Sequence, residues 1–395
     1  MDRAEEICKS LLRGGKAEKI HSLGALSHFR STMRLTPSCN SFFYGYIRKR
    51  IEALAGSPSY AFSMAQSVQA QLYCGVLMLE QGTYFLLGVQ PDLTPEVLRV
   101  DFSELSEYTV YSGQAIKVMG RNPAGEEVVV DSIVYDSIPD GLAKTGTGTS
   151  FTVTFIDEKK LSWDEPPFQP EEKSAECALD SEKMLKIVSE CGSDIAVIFG
   201  DVSARGRELY KEMRDARLPR LLLVPAVDGI ESSMCYPTEY MEKVSGCQAH
   251  VVQENVPSSG LYDAGSSRIV ELQNPSMVAV NGILLAVTSV DILRGISRGE
   301  VSKNRRGRML DILAHAVCQG TFLPFVPQDV PVDYSVYNAF MWPYSPDVYV
   351  FPTNLSAGKE QVCETHIFPL GKAWATLEVR CDGEGTVTVE AAGSA

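Results

Sequence analysis

Two aspartates stand just past predicted apolar strands, where α/β proteins usually place their ligand-binding side chains. Asp201 follows the strand predicted over Ile195–Phe199, and Asp228 follows the strand predicted over Leu221–Val224. An aspartate at such a position can bridge two metal ions in a centre that hydrolyses phosphate esters. These two residues are therefore the first candidates for metal chemistry in the chain.

A two-metal centre of this kind also needs histidines beside its carboxylates. The chain contains five histidines, and none of them stands next to either aspartate: His21, His28, His250, His315 and His366. Carboxylates without imidazole partners make a weak metal site. We therefore interpret Asp201 and Asp228 as structural or surface residues, and predict no bound metal, no cofactor and no catalytic residue.

Nucleophilic catalysis has no local motif in this sequence. The chain lacks the Gly-x-Ser-x-Gly turn that presents a nucleophilic serine. Its ten cysteines are dispersed and form no Cys-x-x-Cys pair, which argues against a zinc ribbon or a redox motif. In a chain of this length, buried free thiols in a reducing compartment are expected. A catalytic triad is assembled in space, so the nucleophilic class stays open.

A basic cluster precedes the helix predicted over Gly307–Cys318. Its members are Lys303, Arg305, Arg306 and Arg308. The helix dipole disfavours cations at this end, so the cluster is a candidate contact for phosphate or for an acidic partner. The alternative is a solvated loop. The net charge of −14 argues against a general affinity for nucleic acid and fits a partner with a basic surface.

Aromatic residues recur in short predicted strands, where they could stack nucleic-acid bases. They are Tyr73, Tyr84, Phe85, Tyr108 and Tyr111. Few basic residues accompany them, and binding to a nucleic-acid strand would need both. We therefore predict that these rings pack in a hydrophobic core.

The elements that must position these residues begin with a helical segment over residues 1–65. Within it, apolar residues at helical spacing over residues 42–54 surround Arg48, Lys49 and Arg50. This pattern predicts a packing helix with a solvated basic edge.

The remainder of the chain divides by composition. Residues 66–142 hold about five short β-rich runs separated by turns, which is typical of a small barrel, with an OB-type barrel as the leading candidate. Residues 143–180 are rich in glycine and then in acidic residues and proline, which indicates a linker and the start of the larger domain. Residues 181–395 alternate apolar strands with helices, which indicates an α/β sheet covered on both faces.

Specific elements are predicted within residues 181–395. The strands, besides the two named above, are Ser276–Val280, Leu284–Val287 and Val348–Phe351. The helices, besides Gly307–Cys318, are Lys183–Glu190 and Arg205–Arg217. No run in the chain reaches the roughly 18 apolar residues that suggest a membrane span, so no membrane contact is expected.

Short segments along residues 70–375 match, in order, the pattern of a known family. They are Val100–Leu105, Tyr108–Tyr111, Gly113–Gln114, Gly120–Gly125, Ile198–Val202, Leu223–Asp228, Tyr236–Pro237, Asn274–Leu293, Cys318–Pro324 and Pro346–Leu355. Together they resemble the family of B subunits of DNA polymerase alpha; the family has proline where this chain has Ser112. The first ~65 residues are covered poorly, so the usual N-terminal adaptor domain is expected to be reduced or missing.

This resemblance implies an OB-type barrel packed on a calcineurin-like, two-sheet α/β phosphoesterase domain that has lost its metal ligands. Asp201 and Asp228 would then be vestigial positions of the metal site. The Gly200-Asp201 pair departs from the family's Gly-Pro and is nearer to an active phosphoesterase.

The resemblance also implies a function. The chain would be a non-catalytic scaffold subunit, not an enzyme, that binds the C-terminal region of the catalytic subunit of DNA polymerase alpha. It would link that subunit to primase and to replisome factors in the nucleus, with at most indirect or weak DNA contact and without a cofactor.

Two alternatives remain. One is the corresponding B subunit of polymerase delta or epsilon, and the other is an active metallophosphoesterase, which would need the histidine cluster that this sequence does not offer. No partner-interface residue can be assigned from the sequence. We expect an exposed apolar patch at the junction of the barrel and the larger domain, since an obligate partner would cover it.

Overall fold

The computed structural model contains two compact units. It describes residues 37–57, 60–80, 82–134, 148–161, 186–200, 202, 219–227, 236–238, 269–305, 308–325, 331–355, 358–382 and 384–394. The first unit takes its described residues from Met1–Pro139 and Ile292–Pro343, and the second from Asp140–Asp291 and Tyr344–Ala395.

The strands are numbered in chain order. They are β1 (Ser67–Glu80), β2 (Thr83–Val89), β3 (Pro95–Asp101), β4 (Tyr108–Tyr111), β5 (Ala115–Asn122), β6 (Glu127–Ile133), β7 (Thr149–Asp157), β8 (Ile195–Phe199), β9 (Arg220–Val224), β10 (Ile269–Glu271), β11 (Ser276–Val280), β12 (Ile283–Val287), β13 (Glu300–Lys303), β14 (Val348–Pro352), β15 (Glu360–Val362), β16 (Thr365–Leu370), β17 (Trp374–Cys381) and β18 (Val387–Ser394). The helices are α1 (Pro37–Ala55), α2 (Glu158–Leu161), α3 (Ile292–Ser297) and α4 (Arg308–Cys318), with a 3₁₀ helix at Tyr334–Phe340.

Helix α1 buries one apolar face in the first unit. Its buried residues recur at helical spacing: Phe43, Tyr46, Ile47 and Ile51. The predicted helix is confirmed over this range, and residues 1–36 lie outside the described part of the chain. The predicted solvated basic edge is wrong, because Arg48 and Arg50 are only 4% and 2% exposed while the Lys49 side chain is 49% exposed.

Five strands of the first unit form a closed barrel in the order β1-β2-β3-β6-β5. Neighbouring strands are antiparallel except β3 and β6, which pair in parallel at Arg99 and Glu127. The barrel interior is apolar and includes Tyr73, Leu77, Leu86, Leu98, Val110, Ile116, Val118, Val128 and Val130. A small barrel was predicted for this part of the chain, and it is present.

The first unit is completed by a segment that lies far along the chain. Strand β13 pairs antiparallel with β4, so that Glu300 faces Tyr111 and Lys303 faces Tyr108. Helices α3 and α4 and the 3₁₀ helix also belong to this unit. The sequence had placed residues 181–395 in one domain, whereas the contacts of Ile292–Pro343 group this segment with the barrel.

The second unit contains two sheets that share a core. One has six strands in the order β10-β9-β8-β7-β17-β18, and the other has five in the order β11-β12-β14-β16-β15. Alternate residues of β8 face opposite sides: Val197 and Phe199 pack into the core shared with the second sheet, and Ala196 and Ile198 pack on the outer face. The strand at Ile195–Phe199 has its predicted bounds, and the other predicted strands lie within one residue of theirs.

Other predictions for this region had mixed outcomes. Residues 143–180 were predicted to be a linker and the start of the larger domain, and β7 (Thr149–Asp157), within this stretch, lies inside the six-stranded sheet. The acidic, proline-rich stretch and the helix predicted over Arg205–Arg217 lie outside the described residues. No helix in the described ranges combines the length and hydrophobicity that crossing a bilayer requires.

Candidate functional site

The parallel strands of the second unit end at one edge, where α/β folds usually bind their ligands. Strands β7 to β10 run parallel in one sheet, and β12, β14 and β16 run parallel in the other. Hydrogen bonds join the segments that follow these strands across the two sheets, so their ends lie together. We call the residues at and just after these strand ends the carboxyl edge.

The two aspartates that the sequence analysis named as candidates for metal chemistry follow strands that end at the carboxyl edge. Asp201 comes directly after Gly200, and Asp228 comes shortly after β9. Asp201 and Asp228 lie outside the described residues, so their predicted roles stay predictions.

Gly200 directly follows β8 and lies close to the acidic side chain of Glu158. Its N–H donates to Val224 O at 3.0 Å. Its φ of +156° is one that side-chain-bearing residues rarely adopt, and an added Cβ would overlap the side chain of Glu158. This position therefore accepts only glycine while Glu158 keeps its place.

A buried asparagine is the centre of a hydrogen-bond network at the carboxyl edge. Asn274 follows β10 and is 0% exposed. Its Nδ2 lies 3.0 Å from Pro225 O, 3.0 Å from Thr238 Oγ1 and 2.6 Å from Ser289 Oγ. An amide nitrogen has two N–H groups, so these oxygens already use its full donating capacity.

The amide oxygen of Asn274 is used as well. It accepts hydrogen bonds from Thr288 Oγ1 at 3.1 Å and from Ser289 N at 3.0 Å. Tyr236 OH lies 3.1 Å from Thr288 Oγ1 and extends the network. The arrangement links the ends of β9, β10 and β12, and it leaves the Asn274 side chain no capacity to bind a ligand.

A carboxylate and an ammonium form a second buried group at the carboxyl edge. Asp157 ends β7, and Lys160 follows it in α2 with its Nζ 3.3 Å from Asp157 Oδ2. Lys160 Nζ also donates to Thr353 O and to Leu370 O, both at 2.6 Å. Burial raises the pKa of Asp157 above its usual range, and the charge of Lys160 opposes that rise.

Sequence reasoning missed Asp157 and Lys160. The signal was available, because Asp157 directly follows the apolar alternation of Phe151, Val153 and Phe155, as Asp201 follows its own strand. It was overlooked because residues 143–180 were assigned to a linker and the start of the larger domain.

These residues do not fit a two-metal centre. The carboxylate of Asp157 is already paired with an ammonium, and the amide of Asn274 is fully hydrogen-bonded. Within the described ranges, no group of three or more His, Cys, Asp or Glu side chains is arranged to hold a metal ion.

The two described histidines are placed in different units. His366 lies in β16 of the second unit, with Nε2 2.8 Å from Val387 O. His315 lies in α4 of the first unit, with Nδ1 3.2 Å from Gln114 Nε2. Burial lowers the pKa of His315 to about 4, so this imidazole is neutral at pH 7. His21, His28 and His250 are outside the described residues.

The basic cluster of the first unit makes contacts within that unit. Lys303 Nζ donates to Ser103 O at 3.2 Å and to Leu105 O at 2.7 Å. Arg305 Nη2 lies 2.6 Å from Asp311 Oδ1, and its Nη1 lies 3.5 Å from Glu107.

Arg308, the last described member of the cluster, also makes its contacts within the first unit. Arg308 pairs with Glu300, whose side chain is fully buried. Arg306 is outside the described residues. The contacts of Lys303, Arg305 and Arg308 therefore favour a role in joining β13 and α4 to the barrel, rather than in presenting charge to a ligand.

The aromatic residues singled out from the sequence are buried or partly buried, as predicted. Tyr73, Phe85 and Tyr111 are 0%, 4% and 1% exposed. Tyr84 and Tyr108 are partly buried against the same core, where each packs on Phe102. These rings are not arranged as a surface on which bases could stack.

Comparison with known proteins shows similarity to B subunits of DNA polymerases. The sequence model of the family described as the B subunit of DNA polymerase alpha/epsilon matches residues 224–358. The chain is 22% identical over 285 residues to the B subunit of DNA polymerase alpha from Bos taurus, which covers 65% of this chain and 43% of that protein. It is 22% identical over 296 residues to the Mus musculus protein of the same name, covering 70% and 47%. The chain therefore spans less than half the length of the curated relatives it matches.

Proposed function

We propose that this chain is a non-catalytic accessory subunit of the DNA polymerase alpha–primase complex. The observation that carries the proposal concerns two buried polar residues described at the carboxyl edge. Asn274 and Asp157 use their polar groups internally, at the place where an enzyme of this architecture would bind its substrate. The similarity to polymerase alpha B subunits of cattle and mouse supports the choice of complex.

The proposed fold assignment has two parts. The first unit is an OB-type barrel, supported by five strands that close with a single parallel pair, β3 with β6. The second unit is a calcineurin-like phosphoesterase domain without its metal ligands, supported by two sheets around one core with their parallel strands ending at a common edge. In this assignment Asp201 and Asp228 are remnants of the metal site.

The proposed partner is the C-terminal region of the catalytic polymerase subunit, with primase and replisome factors joined through the complex in the nucleus. Exposed apolar side chains on the first unit support a partner surface there, since Val68 is 79% exposed and Leu72 and Met64 are 39% and 40% exposed. The net charge of −14 suits a partner with a basic face. DNA contact is indirect or weak in this proposal, and no cofactor is needed.

The second candidate is the B subunit of another replicative polymerase. It is favoured by the description of the matching family, which includes epsilon as well as alpha. Co-expression of the chain with C-terminal regions of the alpha, delta and epsilon catalytic subunits separates the two. Selective recovery of the alpha region supports the proposal, and selective recovery of the delta or epsilon region overturns it in favour of the second candidate.

The partner surface can be tested in the same experiment. Val68→Glu and Leu72→Glu are expected to reduce recovery of the partner at least tenfold, because each places a charge in an apolar contact. Gln69→Glu is the matched control, since Gln69 is exposed on the same strand. Equal recovery with all three variants would exclude this end of β1 from the interface.

A hydrolysis assay tests the proposed non-catalytic role against an active metallophosphoesterase. If the chain is non-catalytic, the purified protein in Mn²⁺ should hydrolyse no phosphodiester above the background of the Asp201→Ala, Asp228→Ala double variant. Hydrolysis that the double variant abolishes would show that the chain is an enzyme.

A further inference from the structure

The ammonium group of Lys160 lies among oxygen atoms contributed by both sheets of the second unit. Nζ lies 2.6 Å from Thr353 O, 2.6 Å from Leu370 O and 3.3 Å from Asp157 Oδ2. The side chains of Lys160 and Asp157 are 11% and 7% exposed. The group is therefore largely removed from water, where a charge needs close partners.

The three oxygens match what a primary ammonium can bind. A lysine Nζ carries three N–H groups and no acceptor, so one oxygen is available for each N–H. The two carbonyl contacts are as short as charge-assisted hydrogen bonds become. The single carboxylate balances the charge of the cation.

The ammonium also connects the two sheets, which share an apolar core. Asp157 ends β7 of the six-stranded sheet. Thr353 directly follows β14, and Leu370 ends β16, in the five-stranded sheet. Thr353 N donates to Leu370 O at 3.1 Å. This main-chain hydrogen bond holds the carbonyl groups of Thr353 and Leu370 close together independently of Lys160.

We propose that Asp157, Thr353 O and Leu370 O form a binding site for a primary ammonium, and that Lys160 fills this site in the native chain. The lysine thereby supplies at the carboxyl edge the positive charge that a metal ion would supply in a phosphoesterase, and it ties the ends of β7, β14 and β16 together. The inference stands on the geometry of the second unit and does not depend on the polymerase partner.

Removal of the side chain should leave a site that an added amine can fill. Lys160→Ala deletes three methylenes and the ammonium, which together correspond to n-propylammonium. The variant is expected to melt roughly 5–15 °C below the parent chain, because it leaves a buried carboxylate without its counter-charge. Added n-propylammonium should restore part of the lost melting temperature, whereas tetramethylammonium, with the same charge and no N–H, should not.

Two variants show whether the rescue occurs at this site. Lys159→Ala is the matched control, since Lys159 is the exposed neighbour in α2, and it should change the melting temperature by less than about 2 °C. Adding Asp157→Asn to Lys160→Ala should remove most of the rescue. Equal rescue by both cations, or a Lys160→Ala variant as stable as the parent chain, would overturn the proposal.

A measurement on the unsubstituted chain covers the case in which Lys160→Ala does not fold. Acylation of lysines at neutral pH, followed by fragment-level mass spectrometry, should modify Lys159 at least tenfold faster than Lys160. The reason is that the Lys160 side chain is only 11% exposed and its Nζ is enclosed by three oxygens, so the reagent reaches it less readily. Modification of Lys160 at the rate of Lys159 would overturn the proposal without any variant.

Discussion

Arg50 Nη2 lies 2.6 Å from Gln319 Oε1, although 269 residues separate the two in the chain. The guanidinium also donates to Gly113 O and Pro324 O, each at 2.8 Å. Gln319 is in turn fixed on the barrel, since its amide exchanges hydrogen bonds with the main chain of Ala115. One buried cation therefore connects α1, the β4–β5 turn and the chain after α4.

Substitution of Arg50 should destabilise the first unit. Arg50→Met removes three buried hydrogen bonds made by a charged donor, and we expect a loss of about 3–5 kcal/mol in the free energy of unfolding. Arg50→Lys should recover little of it, since an ammonium cannot reproduce the planar fork of donors. Hydrogen exchange of the barrel amides measures the effect, with the exposed Lys49→Met as the control. A change of less than about 1 kcal/mol in Arg50→Met would contradict this account.

The stability of the first unit should fall at mildly acidic pH because of His315. Its pKa in the folded chain is about 4, below the ordinary 6.5, since burial disfavours the imidazolium. The unfolded chain therefore binds the proton more readily, so the stabilisation is complete above pH 6.5 and is lost as pH falls towards 4. The loss is roughly 3 kcal/mol over this window, since one pKa unit corresponds to about 1.4 kcal/mol.

His315→Asn tests the assignment of this titration. An asparagine oxygen can accept from Gln114 in place of Nδ1, and it does not titrate. The groups that face the ring are Asp311, which favours its protonation, and Arg305, which opposes it. Urea unfolding at several pH values measures the free energy of unfolding, which should fall less steeply with pH between 6.5 and 4 in the variant than in the parent chain. The same pH dependence in both chains would assign the acid sensitivity to other groups.

Gly200 and Glu158 should show strong coupling in a double-mutant cycle. Gly200→Ala is expected to cost about 2–4 kcal/mol, because the methyl group overlaps the Glu158 side chain and φ is unfavourable. In the background of Glu158→Gly, which removes the Cβ as well as the carboxylate, the same substitution should cost less by about 1 kcal/mol or more. Gly358→Ala is the control, since its Cβ would meet nothing within 4 Å. Additive effects at the first two positions would refute the overlap.

The Asn274 network should not tolerate a change of its amide. Asn274→Asp keeps the shape but loses the donor to Pro225 O, so we expect a loss of about 2–4 kcal/mol in the stability of the second unit. Asn354→Ala, an exposed position at the same edge, should change stability by less than about 0.5 kcal/mol. Thermal unfolding of both variants measures the difference. An Asn274→Asp chain as stable as the parent chain would mean that the network does not stabilise the ends of β9, β10 and β12.

The elements that sequence reasoning found are those whose signal is local. The strands at Ile195–Phe199 and Ser276–Val280 are short apolar runs between polar residues, and their bounds were predicted without error. The barrel strands were found in the same way. Strand pairing between distant segments could not be predicted from the sequence. The partner of β4 is β13, which lies almost 200 residues later in the chain.

The residues that were misjudged are charged groups whose surroundings come from distant parts of the chain. Arg48 and Arg50 were assigned to solvent because charged side chains are rarely buried. They are buried because main-chain carbonyls converge on them: Val89 O on Arg48, and Gly113 O and Pro324 O on Arg50. Lys160 was missed for the same reason, since both of its carbonyl partners lie about 200 residues away.

The route of the chain through the two units has a consequence for how the protein is made. Both units consist of two separate stretches, and the chain passes from one unit to the other after Pro139, Asp291 and Pro343. A ribosome must therefore have synthesised the chain beyond residue 318 before Arg50 can meet Gln319, by which time most of the second unit has already emerged. Until then the first unit lacks Ile292–Pro343 and leaves part of its apolar surface uncovered, so a nascent chain stalled between residues 140 and 291 should depend on chaperones.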